Sequence, residues 1–117
     1  MADLNKLQQS YIPMTEASFM VLAALGHENH GYGIMQEASR VTDGRVNLGA
    51  GTVYTLLYKM ENDGLICALR EEDRRKIYRI TPEGAAILEA EGKRLAKAAD
   101  IAAQALVQLQ KAQHGFS

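Results

Sequence analysis

GTVYTLLYKMENDGLI, residues 51–66, combines two different faces in one helical pattern. Its apolar side chains recur at i, i+3, i+4 and i+7, which places them on one side of an α-helix and in a core: Val53, Leu56, Leu57 and Met60. The opposite side carries small or hydrogen-bonding residues: Gly51, Thr55, Tyr58, Lys59 and Asn62, with Tyr54 on the flank. A solvated helix face ordinarily carries charged residues, so this face is predicted to contact a partner.

The length and composition of the chain limit the class of protein that it can be. The chain has 117 residues and a formal net charge of -1, so we expect one small domain with at most one additional element. Hydrophobic residues make up 47% and charged residues 23%, which is globular composition. No apolar run approaches the roughly 20 residues of a membrane span, and the first residues lack a signal-peptide pattern. We therefore expect a soluble, cytoplasmic protein that does not bind membranes.

Residues that could suggest catalysis or metal binding have simpler explanations. Cys67 lies in an apolar run and is expected to be a small buried hydrophobe rather than a redox sensor. His27 and His30 lack a third ligand and are interpreted as turn residues. The glycines of 49–51 are typical of a helix start, because no strand precedes them and Tyr54 stands where a dinucleotide fingerprint needs glycine. Without a nucleophile, base and orienting group in series, the sequence predicts no enzyme, metal or cofactor.

Periodicity and turn residues predict the order helix, helix, helix, hairpin, long helix. A short helix within 1–14 ends at Pro13, and Thr15 caps a helix of about 15–25. The next helix carries the apolar stripe Ile34, Met35, Ala38 and Val41. The helix of the opening stretch runs over about 50–62 and ends at Asp63-Gly64. Strands at 65–70 and 76–81 flank the charged loop 71–75, and Thr81-Pro82 begins a helix to about residue 113.

This order is that of a winged helix-turn-helix, in which the later helix enters the DNA major groove. Small residues at the helix start, among them Gly51 and Thr52, would allow close approach to phosphates, and the helix's first amides favour an anion. Thr55, Tyr58 and Lys59 can donate hydrogen bonds to phosphates or base edges.

The hairpin carries the basic residues that the net charge conceals: Arg74, Arg75, Lys76 and Arg79. Acidic residues at 71–73 immediately precede them. We expect the hairpin tip to direct the basic side chains at phosphates while the acids face elsewhere.

Three blocks of the sequence resemble the PadR family of bacterial transcriptional regulators: HGYGI at 30–34, NLGAGTVYTLLYKMENDGLI at 47–66 and RRKIYRITPEG at 74–84. The resemblance implies an α+β, mostly α, winged helix-turn-helix with a C-terminal helix that builds a homodimer. It also implies a repressor released by a small molecule, and the short tail resembles the compact branch of the family. The matching positions at or beside the recognition surface are Thr52, Tyr54, Tyr58 and Lys59, with Arg74 and Arg75 in the wing.

The C-terminal helix predicts a dimer without help from the resemblance. A helix of about 30 residues is about 45 Å long, more than a domain of the preceding residues can cover. A continuous apolar stripe nevertheless follows it: Leu88, Leu95, Ala99, Ala102, Leu106 and Leu109. Each leucine buried in a dimer contributes about 1.5 to 3 kcal/mol, against about 4 to 15 kcal/mol for association. We therefore divide the chain into a DNA-binding domain, 1–81, and a C-terminal dimerisation helix and tail, 82–117.

The sequence thus predicts a dimeric repressor that binds an inverted-repeat operator in double-stranded DNA and responds to a small apolar or aromatic effector. The alternative is a winged-helix protein-interaction module without DNA binding, which the near-neutral charge and the acids at the wing tip also suit. Salt dependence distinguishes them, because DNA affinity falls steeply with salt and apolar docking does not.

Overall fold

The computed structural model describes residues 3–115. Its elements are α1 (Leu4–Tyr11), α2 (Glu16–Ala23), α3 (Gly31–Val41), α4 (Ala50–Asn62), β1 (Ile66–Glu72), β2 (Arg75–Ile80) and α5 (Pro82–Gly115). The predicted fold class is confirmed, since the chain is mostly helical with one two-stranded antiparallel sheet and a long last helix. Within residues 3–115, none of the helices combines the length and the apolar character needed to cross a bilayer.

The residues expected to begin and end helices do so. Thr15 Oγ1 accepts the Ser18 N–H at 3.1 Å to cap α2, and Thr81 Oγ1 accepts the Gly84 N–H at 3.1 Å at the start of α5. Gly64 ends α4 with a φ of 79°, a left-handed conformation that glycine adopts without a steric cost. The Thr81 hydroxyl also donates to the Gly64 carbonyl at 2.7 Å, which joins the end of α4 to the start of α5.

The apolar face of α4 forms the centre of the core. Val53, Leu57 and Met60 are buried, and Leu56 is partly buried beside them. They belong to one cluster with buried side chains of the other helices and of the turn after α2: Leu22, Leu25, Ile34 and Ile87. Burial of each large aliphatic side chain contributes about 1.5 to 3 kcal/mol, so this cluster fixes the orientation of the opposite face of α4.

The hairpin turn is shorter than the predicted five-residue loop 71–75. Only Asp73 and Arg74 form it, with φ of 51° and 66°. Glu71 pairs in register with Lys76, and Glu72 with Arg75. Two-residue turns with positive φ match the twist of paired strands, and opposite charges across the ladder favour the extra pairing.

The hairpin, called the wing below, is attached to the turn before α3. The Asn29 N–H donates to the Tyr78 carbonyl at 3.1 Å, and the Tyr78 N–H returns a bond of 2.8 Å. Arg70 donates to both carboxylate oxygens of Glu28, at 2.8 and 3.1 Å. These contacts fix the wing relative to the helices. The expectation that Cys67 is buried is wrong, because β1 leaves the core after Ile66 and its remaining residues are exposed.

Helix α5 begins in the core and continues beyond it. Ile87 is fully buried, Leu88 packs against the core, and residues 92–114 are all exposed in the isolated chain. Glu91 is only 1% exposed, and its carboxylate accepts the Met14 N–H at 2.7 Å and pairs with Arg94. Arg94 holds the pKa of Glu91 below its usual range. Arg94 is itself exposed and lies on the same helix, so the hydrogen bond from Met14 to the buried Glu91 carboxylate is what holds the segment after α1 against α5.

Candidate nucleic-acid interface

The outer face of α4 is exposed, as its residue pattern predicts. Tyr58 is 70% exposed and Tyr54 54%, and Gly51, Thr52 and Thr55 are exposed with them. Gly49 is the N-cap residue of α4, and no side chain caps the first amides of the helix. The N–H groups of the first turn of an α-helix have no intrahelical acceptor, so this end of α4 favours an anion.

A groove of about 350 Å³ separates this face from the wing. It brings together residues that were predicted separately on the helix and the hairpin, together with α3. Its lining residues are Gly31, Tyr54, Tyr58, Glu61, Arg74, Arg75, Lys76 and Tyr78. The acidic residues 71–73 are not among them, and the acidic side chain that lines the groove is that of Glu61. The result is a concave surface with the rings of Tyr54 and Tyr58 on the α4 side and the basic side chains, together with Tyr78, on the wing side.

Two tyrosines fix the inner part of the groove. The ring of Tyr54 lies directly on Gly31, where an added Cβ would be 2.9 Å from three ring and hydroxyl atoms. Tyr78 is 7% exposed, and burial, followed by the charge of Glu61, raises the pKa of its hydroxyl. Tyr78 therefore remains a protonated, uncharged donor at neutral pH.

Lys59 is directed away from the groove. Its ammonium lies 3.0 Å from Oδ2 of Asp63 and 4.1 Å from the centre of the Tyr11 ring. Burial alone would lower the pKa of Lys59, but hydrogen bonds with Asp63 and Tyr11 raise it. The predicted DNA donor is thus held in an ion pair at the C-terminal end of α4.

The other residues predicted to bind DNA do not line the groove. Arg79 is exposed at the other end of β2, paired in register with Cys67. Gly51, Thr52 and Thr55 face solvent on α4 and do not touch the wing side of the groove.

Sequence reasoning missed His30 and Tyr32, which stand beside Arg75. His30 was interpreted as a turn residue, yet its Nδ1 accepts the Gly33 N–H at 3.0 Å and caps α3. Its Nε2 lies 3.5 Å from Nη1 of Arg75, whose guanidinium is 5.4 Å from the centre of the Tyr32 ring. The spacing of His30 and Gly33 could have indicated the cap, but no local pattern indicates the contact with the wing.

Sequence comparison relates the chain to known regulators. Residues 21–90 match the model of the transcriptional regulator PadR-like family. An uncharacterized 37.1 kDa protein in transposon TN4556 of Streptomyces fradiae is 34% identical over 83 residues, which are 70% of this chain and 24% of that protein. The chain therefore spans about a quarter of the length of this curated relative.

Solved structures share the fold. A transcriptional regulator from Clostridium thermocellum superposes with a TM-score of 0.66 at 23% identity, covering 75% of this chain and 87% of that one. A PadR family transcriptional regulator from Eggerthella lenta gives a TM-score of 0.64 at 23% identity, covering 86% of each chain. At this identity the likeness shows a common fold.

Proposed function

The chain belongs to the PadR-like family of transcriptional regulators, and we propose that it is a sequence-specific DNA-binding repressor that acts as a homodimer. The groove between α4 and the wing carries this proposal. It places Tyr54 and Tyr58 opposite Arg74, Arg75 and Lys76. Basic side chains supply phosphate contacts, and a polar helix face supplies contacts to base edges.

In this proposal α4 enters the major groove and the wing follows the adjacent backbone. Thr55 and Tyr58 are exposed, and in the proposed complex both donate to base edges while the Tyr58 ring packs on a thymine methyl group. Gly51 and Thr52 at the helix start leave room for a phosphate near the first amides. Arg74, Lys76 and, farther along β2, Arg79 would add contacts to phosphates that carry no sequence information.

The exposed part of α5 supports a homodimer. Leu95, Leu106 and Leu109 are 37%, 59% and 57% exposed in the isolated chain, and Ala99 and Ala102 are exposed between them. A continuous apolar stripe of this kind is unusual on a monomer. We propose that it pairs with the same stripe of a second chain, while Leu88 joins the stripe to the core. The predicted boundary between residues 81 and 82 then separates two proposed functions rather than two structural units. Ile87 and Glu91 of α5 are buried and complete the packing of the DNA-binding domain.

A cavity beside the stripe supports an effector site. It measures about 250 Å³ and is lined by Met14, Glu16, Phe19, Met20, Glu91 and Leu95. Its thioether and aromatic walls suit a small apolar or aromatic molecule. Because Leu95 belongs to the proposed dimer stripe, a ligand there would act on both the dimer and α2, and we propose that it relieves repression.

The experiment that tests this function measures binding of the full chain to double-stranded DNA as salt is varied. We expect the logarithm of the affinity to fall linearly with the logarithm of the salt concentration, by about 0.9 for each phosphate neutralised. Absence of DNA binding, or binding that salt does not change, would instead favour the protein-interaction module.

A further inference from the structure

The ring of His30 is held in one orientation and one tautomer. Its Nδ1 accepts the Gly33 N–H at 3.0 Å, so the proton of the neutral imidazole lies on Nε2. The backbone on either side is fixed as well, because the His30 N–H donates to Asn29 Oδ1 at 2.9 Å and a Cβ on Gly33 would collide with Asn29. His30 therefore presents an N–H donor in a fixed position.

A second donor faces the first. Nη1 of Arg75 lies 3.5 Å from Nε2 of His30, and a guanidinium has no acceptor atom. The two N–H groups therefore cannot bond to each other. The Tyr32 ring, 5.4 Å from the guanidinium carbon, supports Arg75 from one side through a cation–π contact.

The neighbouring carboxylates are bound to another residue. Glu72 pairs in register with Arg75, but its Oε1 accepts from Nε of Arg70 at 2.6 Å. The same arginine binds Glu28. Among residues 3–115, no carboxylate contacts the Nε2 of His30 or the guanidinium of Arg75. Two convergent donors, one of them cationic, are thus left facing solvent beside the groove.

We propose that His30 and Arg75 bind one phosphate oxygen of the DNA backbone together, with Tyr32 as the support of the guanidinium. An oxygen can lie about 2.9 Å from each of two donors 3.5 Å apart, which is ordinary hydrogen-bond geometry. The site joins the helix-turn-helix, which contributes His30 and Tyr32, to the wing, which contributes Arg75. This site rests on the proposed function. It adds His30, the N-cap residue of α3, and Tyr32, in the first turn of α3, to the DNA-binding surface.

The test uses the full chain and a random-sequence duplex of roughly 30 bp, about three helical turns, because a phosphate contact does not depend on base sequence. His30→Asn removes the Nε2 donor and keeps a side chain that caps helices well. We expect it to weaken binding about 3- to 10-fold, the contribution of one hydrogen bond. The salt slope should stay unchanged, because a neutral donor displaces no counterion. Arg75→Ala should weaken binding and reduce the slope by about one.

Combining the substitutions tests whether the two donors share one oxygen. The loss in His30→Asn/Arg75→Ala should be smaller than the product of the two separate losses. Arg79→Ala provides the matched control, since Arg79 lies at the other end of β2, and its effect should multiply with that of His30→Asn. Tyr32→Phe should bind as the wild type does, whereas Tyr32→Leu should lose affinity because the ring face is gone.

A measurement on the unaltered protein makes the test independent of any folding defect in the variants. The Nε2–H signal of the His30 ring, followed by NMR, should shift and exchange more slowly when the duplex is added. If the wild type binds DNA while His30→Asn binds equally well and the ring signal does not move, this inference fails and the proposed function stands. If the wild type does not bind the duplex, both fail.

Discussion

The hydroxyl of Tyr11 donates a 2.7 Å hydrogen bond to Oδ2 of Asp63, the residue that caps the C-terminus of α4. The ammonium of Lys59 lies over the same tyrosine ring and contacts the same carboxylate. The hydrogen bond from Tyr11 and the charge of Lys59 hold the pKa of Asp63 below its usual range. Because α1 packs on α5, this contact connects the proposed dimerisation helix to the end of the proposed recognition helix.

Replacing Tyr11 with phenylalanine should lower the free energy of unfolding by about 1 kcal/mol, because the ring stays and only the hydrogen bond is lost. Burial, followed by the bond to Asp63, raises the pKa of Tyr11 from 10.0 to about 12. Since the folded value lies above the unfolded one, this stabilisation is complete below pH 10 and is lost as the pH rises through about 12. Urea unfolding between pH 10 and 12 should show that the free energy of unfolding falls more steeply with pH for the wild type than for Tyr11→Phe. Parallel pH profiles would contradict the raised pKa of Tyr11.

Gly51→Ala should separate stability from DNA binding. A Cβ at this exposed position in α4 has no atom within 4 Å, so alanine should raise the free energy of unfolding by roughly 0.5 to 1 kcal/mol. DNA affinity should nevertheless fall if the start of α4 approaches a phosphate, because the added methyl group occupies that space. Thermal unfolding and duplex binding of the same preparation check both signs. A stabilised variant with unchanged affinity would remove Gly51 from the interface.

Leu95→Asp combined with Leu106→Asp should convert the protein into monomers. Both side chains lie on the exposed apolar stripe, and the charges would be buried in the interface. Light scattering should then give the single-chain mass of 12.8 kDa. Ile101→Asp is the matched control, because Ile101 is 56% exposed but lies about 140° around the helix from Leu106. A dimer that survives the double substitution would place the interface elsewhere.

The operator should be an inverted repeat, because a two-fold dimer presents two identical recognition helices. The half-site centres should lie about one helical turn apart, roughly 10 bp, or a multiple of it. Footprinting on DNA selected for tight binding shows this directly. Protection of one asymmetric half-site would mean that a single chain, rather than the proposed dimer, binds DNA.

Local sequence signals predicted the elements whose cause is local. The apolar spacing of Val53, Leu57 and Met60 fixes the buried face of α4, and the caps at Thr15 and Thr81 depend on residues only a few positions away. Once the buried face of α4 is known, its opposite face must be exposed. The exposure of Tyr58 could therefore be predicted as well.

Contacts between distant residues were not predictable in this way. Tyr11 and Asp63 are 52 positions apart, and His30 and Arg75 are 45 apart. No periodicity indicates that Lys59 turns toward Tyr11 or that α3 supports the wing. The exposure of Cys67 was missed for a similar reason, because apolar content predicts burial only where another element covers the strand.

In the proposed complex α4 contacts the base edges of the operator while the wing binds the DNA backbone. Paired salt titrations of Tyr58→Ala and Arg74→Ala, each on operator and random duplexes, test this division most directly. Tyr58→Ala should weaken operator binding much more than random binding, by about 1 to 3 kcal/mol of discrimination. Arg74→Ala should weaken both duplexes equally and reduce both salt slopes by about one. Unchanged operator affinity in Tyr58→Ala together with unchanged slopes in Arg74→Ala would show that neither wall of the groove contacts DNA.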